Sequence, residues 1–532
     1  MLKHRYTFYF AFFAIALLSF INRDLTPVNE LKYISIALEA LQSNHWFAFY
    51  NHGQIYADKP PVYFWVIMVG IKLFGTNGAA LFTCLFSILP AIGIAEVMHR
   101  WTKHELKPAM GNIAVVMLIS SGLFLACAII LRMDMLMALF ITLALYQFHL
   151  AFIRQQQYLA PSAQRYFILL FILLALLIKG PVGLLLPVLS IFAFLWQKKS
   201  LKQWSLYFPL KGVLLFLLII GLWGLGIDYD GGHQYLYQLT IGQALKRGIH
   251  ASVHPEPIYY YLQSAFSTLQ PWSLLLVVSG LGFILQFFKS KSQLETQSKL
   301  SDTACLFLTV TITGVVMLSA VSSKLEIYFL PLMPFVIFAS VMILQQLNER
   351  KWWLWGLYPI AVLTMIAPIV ALFFTSALDK LPVSLSDAYL LLASLFIFGV
   401  ITMGLLLKQK YQHAVVSLGC TMLAIILVAA LVVPKYNNLL GVEQVANLAQ
   451  QQSPKYGNQG YYAYKKESIQ NMDVYFHQPV LLIDTVQQAV NLNVGSVIIT
   501  KNKQAEIIKA LAAKGQKPSY INTEGKYTLL VR

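Results

Sequence analysis

Residues 165–199 read RYFILLFILLALLIKGPVGLLLPVLSIFAFLWQKK. Two apolar runs, 166–179 and 180–196, approach the ~20 residues that cross a bilayer as a helix. They meet at Lys179-Gly180-Pro181 and are bounded by Arg165 on one side and by Lys198 and Lys199 on the other. Proline is tolerated at the start of a helix and opposed within one, so the pair reads as a helical hairpin. Its two outer ends carry basic residues, which collect in cytoplasmic loops. Lys179 therefore turns outward, at the far membrane face.

The same grammar runs through the chain. Apolar runs at 6–21, 78–98, 111–130, 134–153, 212–227, 271–288, 303–321, 327–346, 354–374, 387–407 and 413–433 join the hairpin, thirteen candidate spans in all. With the N-terminus inside, Arg100, Lys103 and Lys107, then Arg154 and Arg165, Lys198 to Lys211, Lys289 to Lys299, Arg350 and Lys351, and Lys408 and Lys410 all fall on the inner side. That alternation holds if the shorter apolar stretch 61–75 does not span, so it is expected to be an interfacial helix. No small-residue cleavage site follows the first run, which reads as an uncleaved helix.

Composition agrees. The 532 residues are 58% hydrophobic and 11% charged, with a mean hydropathy of +0.65; a soluble chain is about 25% charged. A soluble multidomain enzyme, a disordered chain and a disulfide scaffold are excluded. The net charge of +17 is the inner-loop excess and signals no nucleic-acid partner. Cys84, Cys127, Cys305 and Cys420 sit in apolar segments without close spacing and read as core thiols. The fold class expected is an α-helical polytopic membrane protein, 1–433, followed by a small outer α/β domain, 434–532. In that tail Tyr461–Tyr464, Val480–Ile483, Val497–Ile499 and Tyr527–Val531 read as strands, with a helix at Ala505–Ala513. No nucleotide-binding glycine motif occurs.

Two outer loops, 22–77 and 228–270, and three short outer turns, at 131–133, near 179–180 and at 322–326, hold the remaining charge. Charged groups near a bilayer are costly and default to functional suspicion. They are the carboxylates Asp24, Glu30, Asp58 and Asp134, the cations Lys59, Lys179, Arg247 and Lys324, and the tyrosines Tyr33 and Tyr328. Asn29 and His254 lie among them; His250 and His254, four apart, lack a certain third metal ligand, so no metal site is assigned. Plainer readings compete: Asp134 caps a helix, Lys179 snorkels, and Asp58 pairs with Lys59. Together, carboxylates suit proton abstraction from an acceptor, while cations and tyrosine hydroxyls suit a phosphate that gains charge as it leaves. A phosphate at a membrane surface beside an apolar carrier describes a lipid-linked sugar donor.

The ordered set Asn29-Glu30-Leu31-Lys32-Tyr33, Asp58-Lys59-Pro60-Pro61, Arg132-Met133-Asp134, Lys179-Gly180-Pro181 and Lys324-Leu325…Tyr328-Phe329-Leu330-Pro331 resembles the lipid-phosphate-dependent glycosyltransferases of the GT-C class. It looks closest to the aminoarabinose transferases of lipid A, which in turn resemble protein O-mannosyltransferases. The resemblance implies thirteen transmembrane helices and a periplasmic C-terminal domain. It implies catalytic roles among Asp134, Glu30, Asp24 and Asp58. Substrate binding would fall to Lys59, Tyr33, Arg247, Lys324, Tyr328, Lys179, Asn29 and His254. The family's usual Asp-Glu falls on Asn29-Glu30, and asparagine cannot act as a base. Its Glu-His-x-x-Arg falls on Gln243 to Arg247, where only the arginine matches.

The expected protein is then a monomeric inner-membrane transferase with its site facing the periplasm. It takes a sugar from a polyprenyl-phosphate carrier and gives it to lipid A or another glycolipid. No cofactor is required, although the gathered carboxylates leave room for a divalent cation. The rival readings are a protein acceptor, a lipid-linked sugar transporter and a binding protein that has lost catalysis.

Overall fold

The apolar runs become helices because a backbone inside lipid must satisfy its own hydrogen bonds. In the hairpin, helices Gln164–Lys179 and Pro181–Gln197 are divided at Gly180. Its φ of 88° suits a residue without a Cβ, and its N–H closes the first helix on the Leu176 carbonyl at 2.7 Å. The chain is described here from a computed structural model covering residues 5–159, 163–242, 255–290, 300–347, 349–374 and 383–532.

Each of the thirteen runs is helical, but they differ in kind. Eight helices among the described residues are long and apolar enough to cross a membrane, or up to ten if two bent pairs each count once. One pair, Pro108–Ile119 and Gly122–Ala128, is bent by 66°. Ser120 and Ser121 at the break bond back to the carbonyls of Val116 and Met117 at 2.5 and 2.7 Å, a competitor to the regular ladder. The other pair, Tyr260–Thr268 and Ser273–Gln286, is bent by 120°. Helices Arg5–Ile21, Gln164–Lys179 and Pro181–Gln197 have 16 or 17 residues, about 25 Å at 1.5 Å per residue, short of a hydrocarbon core of about 30 Å.

Stretch 61–75 runs directly into the next helix: Val62–Thr102 is one 41-residue element, broken only at Gly75 (φ 71°, ψ 175°). At about 60 Å it is twice the hydrocarbon thickness. The part before Gly75 buries Tyr63, Phe64, Ile67 and Met68 and packs with helix Glu30–Ser43.

The basic residues gather at one end of the bundle. There Glu96 holds Arg5 and Arg100 at 3.1 and 2.8 Å, Lys198 meets Asp302 at 2.5 Å, and the Lys107 amide meets Gln345 at 2.8 Å. The opposite end carries the first loop, with its hairpin of β1 (Tyr50–Asn51) and β2 (Gln54–Ile55), and the C-terminal segment.

That segment forms a five-stranded sheet from β3 (Tyr461–Tyr464), β4 (Val480–Ile483), β5 (Val497–Thr500), β6 (Tyr520–Glu524) and β7 (Tyr527–Val531). The order is β4-β3-β5-β7-β6, with β3, β4 and β5 parallel and β7 antiparallel to its neighbours. Period-two alternation splits its side chains. Tyr461, Ala463, Val497, Ile499, Leu529 and Val531 join the core of the helical bundle. Tyr464, Ile483, Ile498 and Leu530 pack under helices Val486–Asn491 and Gln504–Ala513. Strand β6 escapes the sequence reading because it is a polar edge, Tyr-Ile-Asn-Thr-Glu.

Candidate functional site

Helix Glu30–Ser43 begins on a fully buried carboxylate. Arg23 donates to both oxygens of Glu30 at 2.8 and 2.7 Å. The Thr26 amide and hydroxyl add bonds of 3.0 and 2.9 Å, and the Leu131 amide another of 3.0 Å. Burial alone would raise its pKa; Arg23 and the amides bring it below the ordinary glutamate value. Glu30 is therefore a pin between the first loop and the second outer turn. With five donors on two oxygens, it has no lone pair left for an acceptor proton. The sequence reading of Glu30 as a catalytic carboxylate is at odds with this geometry.

Asp134 opens helix Asp134–Gln156 and is 1% exposed. One oxygen accepts from Arg132 at 3.1 Å and the other pairs with Lys179. The Lys179 ammonium also lies 4.8 Å from the centre of the Tyr328 ring. Asp134 thus aligns two cations from behind, where the sequence reading had it meet the acceptor.

Two cavities meet in front of that wall. A polar chamber of about 260 Å³ is lined by Lys32, Lys59, Arg132 and Lys179, with Asp58 as its carboxylate and Asn29, Tyr33 and Tyr328 among its remaining walls. An apolar trough of about 430 Å³ runs beside it along Leu176, Leu185, Trp223, Leu239, Met317 and Val321. Asp58, Lys59, Lys179 and Tyr328 line both. The first loop is clamped over this junction. Asp230 accepts from the amides of Trp46, Phe47 and Ala48 at 2.7–2.9 Å, and the Tyr235 hydroxyl donates to the Tyr56 carbonyl at 2.9 Å.

The candidate residues divide accordingly. Asp58, Lys59, Lys179, Tyr33, Tyr328 and Asn29 come together around the chamber. Lys324 does not line it: its buried ammonium donates to the Glu256 carbonyl at 2.8 Å and fastens the far end of the second outer loop. Asp24 also lies apart, under the C-terminal segment, where it accepts from the Glu443 amide at 3.2 Å. Arg247, His250 and His254 fall outside the described residues. Among the described residues no three His, Cys, Asp or Glu side chains gather to hold a metal. Lys32 and Arg132 carry no role in the sequence reading, although both stand inside its motifs. Each is adjacent to, or two residues from, a group that drew the functional reading instead.

Asp24 has a measurable consequence. Burial, then the nearby Glu443 carboxylate, pushes its pKa from 3.8 to about 6. The fold therefore favours the protonated form. Its contribution to docking the C-terminal segment is fullest below pH 3.8 and is lost as pH rises through about 6. Asp24→Asn should remove that loss, worth up to about 3 kcal/mol. Hydrogen exchange of residues 437–443 should be slower in the variant than in the wild type at pH 7, and the two should converge near pH 4. Equal exchange at pH 7 would contradict the assignment.

The comparisons follow the same geography. A family model described as dolichyl-phosphate-mannose-protein mannosyltransferase matches residues 58–223, from Asp58 to the trough wall at Trp223. An undecaprenyl phosphate-alpha-4-amino-4-deoxy-L-arabinose arabinosyl transferase of Pseudomonas fluorescens is 24% identical over 447 residues, 79% of this chain and 72% of that one. The corresponding transferase of Serratia proteamaculans is 23% identical over 330 residues, covering 60% and 56%. A protein of Aquifex aeolicus is 26% identical over 327 residues, 60% of each chain. In two of these three, then, the match spans less than two thirds of the relative's length. The crystal structure of ArnT from Cupriavidus metallidurans bound to undecaprenyl phosphate superposes with a TM-score of 0.76 at 15% identity, covering 100% of this chain and 98% of that one. Its apo form gives 0.73 at 16% identity, covering 97% and 95%. In fold along its whole length, and in sequence across the segment that supplies Asp58, Lys59, Arg132 and Lys179 to the chamber, the chain resembles the lipid-phosphate-dependent glycosyltransferases of the GT-C class, in the group formed by aminoarabinose transferases and protein mannosyltransferases.

Proposed function

We propose that the chain is a multi-pass glycosyltransferase of the bacterial inner membrane. It takes a sugar from a polyprenyl-phosphate carrier of the undecaprenyl-phosphate kind and passes it to an envelope acceptor, lipid A foremost, at the periplasmic face. The observation that carries this reading is the shared wall: a cationic chamber and an apolar trough have Asp58, Lys59, Lys179 and Tyr328 in common. An amphiphile with a phosphate head and a hydrocarbon tail matches that pair. The likeness to transferases that use such carriers supports the same reaction.

The acceptor oxygen attacks the anomeric carbon, and the bond from that carbon to the carrier's phosphate oxygen breaks. Its electron pair leaves with the phosphate, and configuration inverts. Lys32, Lys59, Arg132 and Lys179 offset the charge that gathers on the departing phosphate, and Tyr33 and Tyr328 border it. Asp58, the carboxylate lining both cavities, orients the acceptor hydroxyl and takes its proton when the acceptor carries one. Cytosolic nucleotides take no part, and the scheme calls on no metal. The chain acts as a monomer.

The test combines binding with product mass. Undecaprenyl phosphate should bind the wild type, and Lys59→Met should weaken it about tenfold or more. Asp58→Asn should retain carrier binding while transfer falls about 10²-fold or more. In cells, loss of the gene should remove a sugar mass from lipid A. A change confined to envelope glycoproteins would move the acceptor to protein, a reading favoured by the mannosyltransferase match over 58–223. Unchanged glycans with a redistributed carrier would replace the enzyme by a transporter.

A further inference from the structure

At the basic end of the bundle, opposite the chamber, a cavity of about 350 Å³ opens where four helix ends meet. Lys107 precedes helix Pro108–Ile119, and Gln345 stands in the last turn of Met333–Leu347. Trp353 lies in the first turn of Arg350–Phe373, and Lys410 precedes Tyr411–Val432. Elsewhere at this end cations meet carboxylates: Arg5 and Arg100 on Glu96, Lys198 on Asp302, Lys351 on Glu349. Lys107 and Lys410 differ. No carboxylate lines the cavity with them. The acid two residues before Lys107, Glu105, turns its side chain to the hydroxyls of Ser301 and Thr303 instead. Two like charges around one cavity repel, and an anion from outside the chain offsets them.

The walls are fixed. The Gln345 side chain accepts from the Lys107 amide and donates to the Glu105 carbonyl, both at 2.8 Å. Gln409, at a φ of 57°, turns the chain out of helix Leu385–Leu407, and the Lys410 amide donates back to the Leu405 carbonyl at 2.8 Å. The depth of the cavity follows from its aromatic wall. Helix Arg350–Phe373 opens Arg-Lys-Trp-Trp, and tryptophan collects at the level of lipid headgroups. Trp353 is buried in the lining, beside Tyr411. Leu407 and Trp355, three residues from Lys410 and two from Trp353, are large exposed apolar side chains, so hydrocarbon begins about one turn away. Ammonium groups suit phosphate as point charges, and the Gln412 amide and His413 imidazole add polar groups that need no charge. Basic pockets between membrane helices hold the headgroups of anionic lipids.

We infer that this cavity is a binding site for the phosphate of an anionic phospholipid, held by Lys107 and Lys410 at headgroup depth. The acyl chains lie along the apolar outer faces of the neighbouring helices. The site is remote from the chamber, and the inference stands apart from the transfer reading: a lipid here fastens four helix ends and takes no part in the chemistry.

The test uses the full chain in detergent, with native mass spectrometry reading the dissociation constant of the first bound lipid. The probes are phosphatidylglycerol, phosphatidylethanolamine with the same acyl chains, and glycerol 3-phosphate. The wild type should bind phosphatidylglycerol about tenfold more tightly than phosphatidylethanolamine, and glycerol 3-phosphate should not displace it. Lys107→Gln combined with Lys410→Gln should abolish that preference, and Lys107→Arg combined with Lys410→Arg should retain it. Lys202→Gln, which neutralises an exposed lysine elsewhere at the same end, should keep the preference, and so should Lys59→Met in the chamber. Equal binding of the two phospholipids by the wild type overturns the inference without recourse to any variant. Displacement by glycerol 3-phosphate overturns it in favour of a soluble anion. Loss of the preference in Lys202→Gln would reduce the effect to the general charge of this end, and loss in Lys59→Met would put the lipid in the chamber; either result overturns the site.

Discussion

Asp134→Asn should cut transfer by about 10²–10³-fold and weaken undecaprenyl phosphate binding with it. The second half of that result separates an anchor from a base. The carboxylate is buried and both oxygens are engaged, one by Arg132 and one by Lys179. Asparagine keeps the shape but offers one acceptor oxygen, and it turns an NH₂ donor toward a cation. A buried cation without its partner moves toward water or loses its proton. Either way a charge leaves the chamber wall, and the departing phosphate loses an offsetting group. A carboxylate acting only as a base would lower turnover and leave carrier affinity intact. Lys179→Met added to Asp134→Asn should cost much less than the sum of the two single effects, since both act through one pair. Wild-type carrier affinity in Asp134→Asn, with turnover lost, would return Asp134 to the role of base.

Glu30→Ala should be the most destabilising single change in the first loop, costing about 3–5 kcal/mol. It strands the Arg23 guanidinium and leaves the amides of Thr26 and Leu131 without their acceptor. Leu131 immediately precedes Arg132, so the chamber wall loosens at the same time. Melting of the purified protein in detergent should fall by several degrees and transfer should fall with it. Glu30→Gln, which keeps an acceptor oxygen, should lie between alanine and wild type in both respects. An inactive Glu30→Gln with wild-type melting would show that Glu30 does chemistry after all.

What the amino-acid order disclosed follows from how far each feature's causes lie along the chain. The helices were legible because a span answers to its own apolar run, and the gathering of basic residues at one end of the bundle because the basic loops repeat the same choice. The strands that are short apolar runs, such as the one read at Val497–Ile499, were legible for the same local reason. The role of Lys324 was hidden because its partner, the Glu256 carbonyl, is distant in sequence; Glu30 takes four of its five donors from nearby Arg23 and Thr26, and only the Leu131 amide comes from afar. A charge quoted in a motif looks available for chemistry until its partner is found. Lys32 and Arg132 show the reverse error. Arg132 sits two residues from Asp134 in a motif read only for its acid, yet its side chain both holds that acid and lines the chamber. Asn29, the departure from the family's acid, stands exposed at the chamber rim as a neutral amide. An acceptor whose attacking oxygen already bears charge needs no base there.

The helix from Leu210 to Tyr237 supplies Trp223 to the trough wall, yet only 11% of its apolar window is buried within the protein. Its sequence is therefore answerable mainly to the thickness of the bilayer. Most of its leucines should exchange freely for isoleucine, valine or phenylalanine over evolutionary time, while Asp230 and Tyr235, which tie its top to the first loop, should resist change. Among related chains this segment should be the place where sequence drifts fastest without loss of activity, and where adaptation to membranes of different lipid length is written.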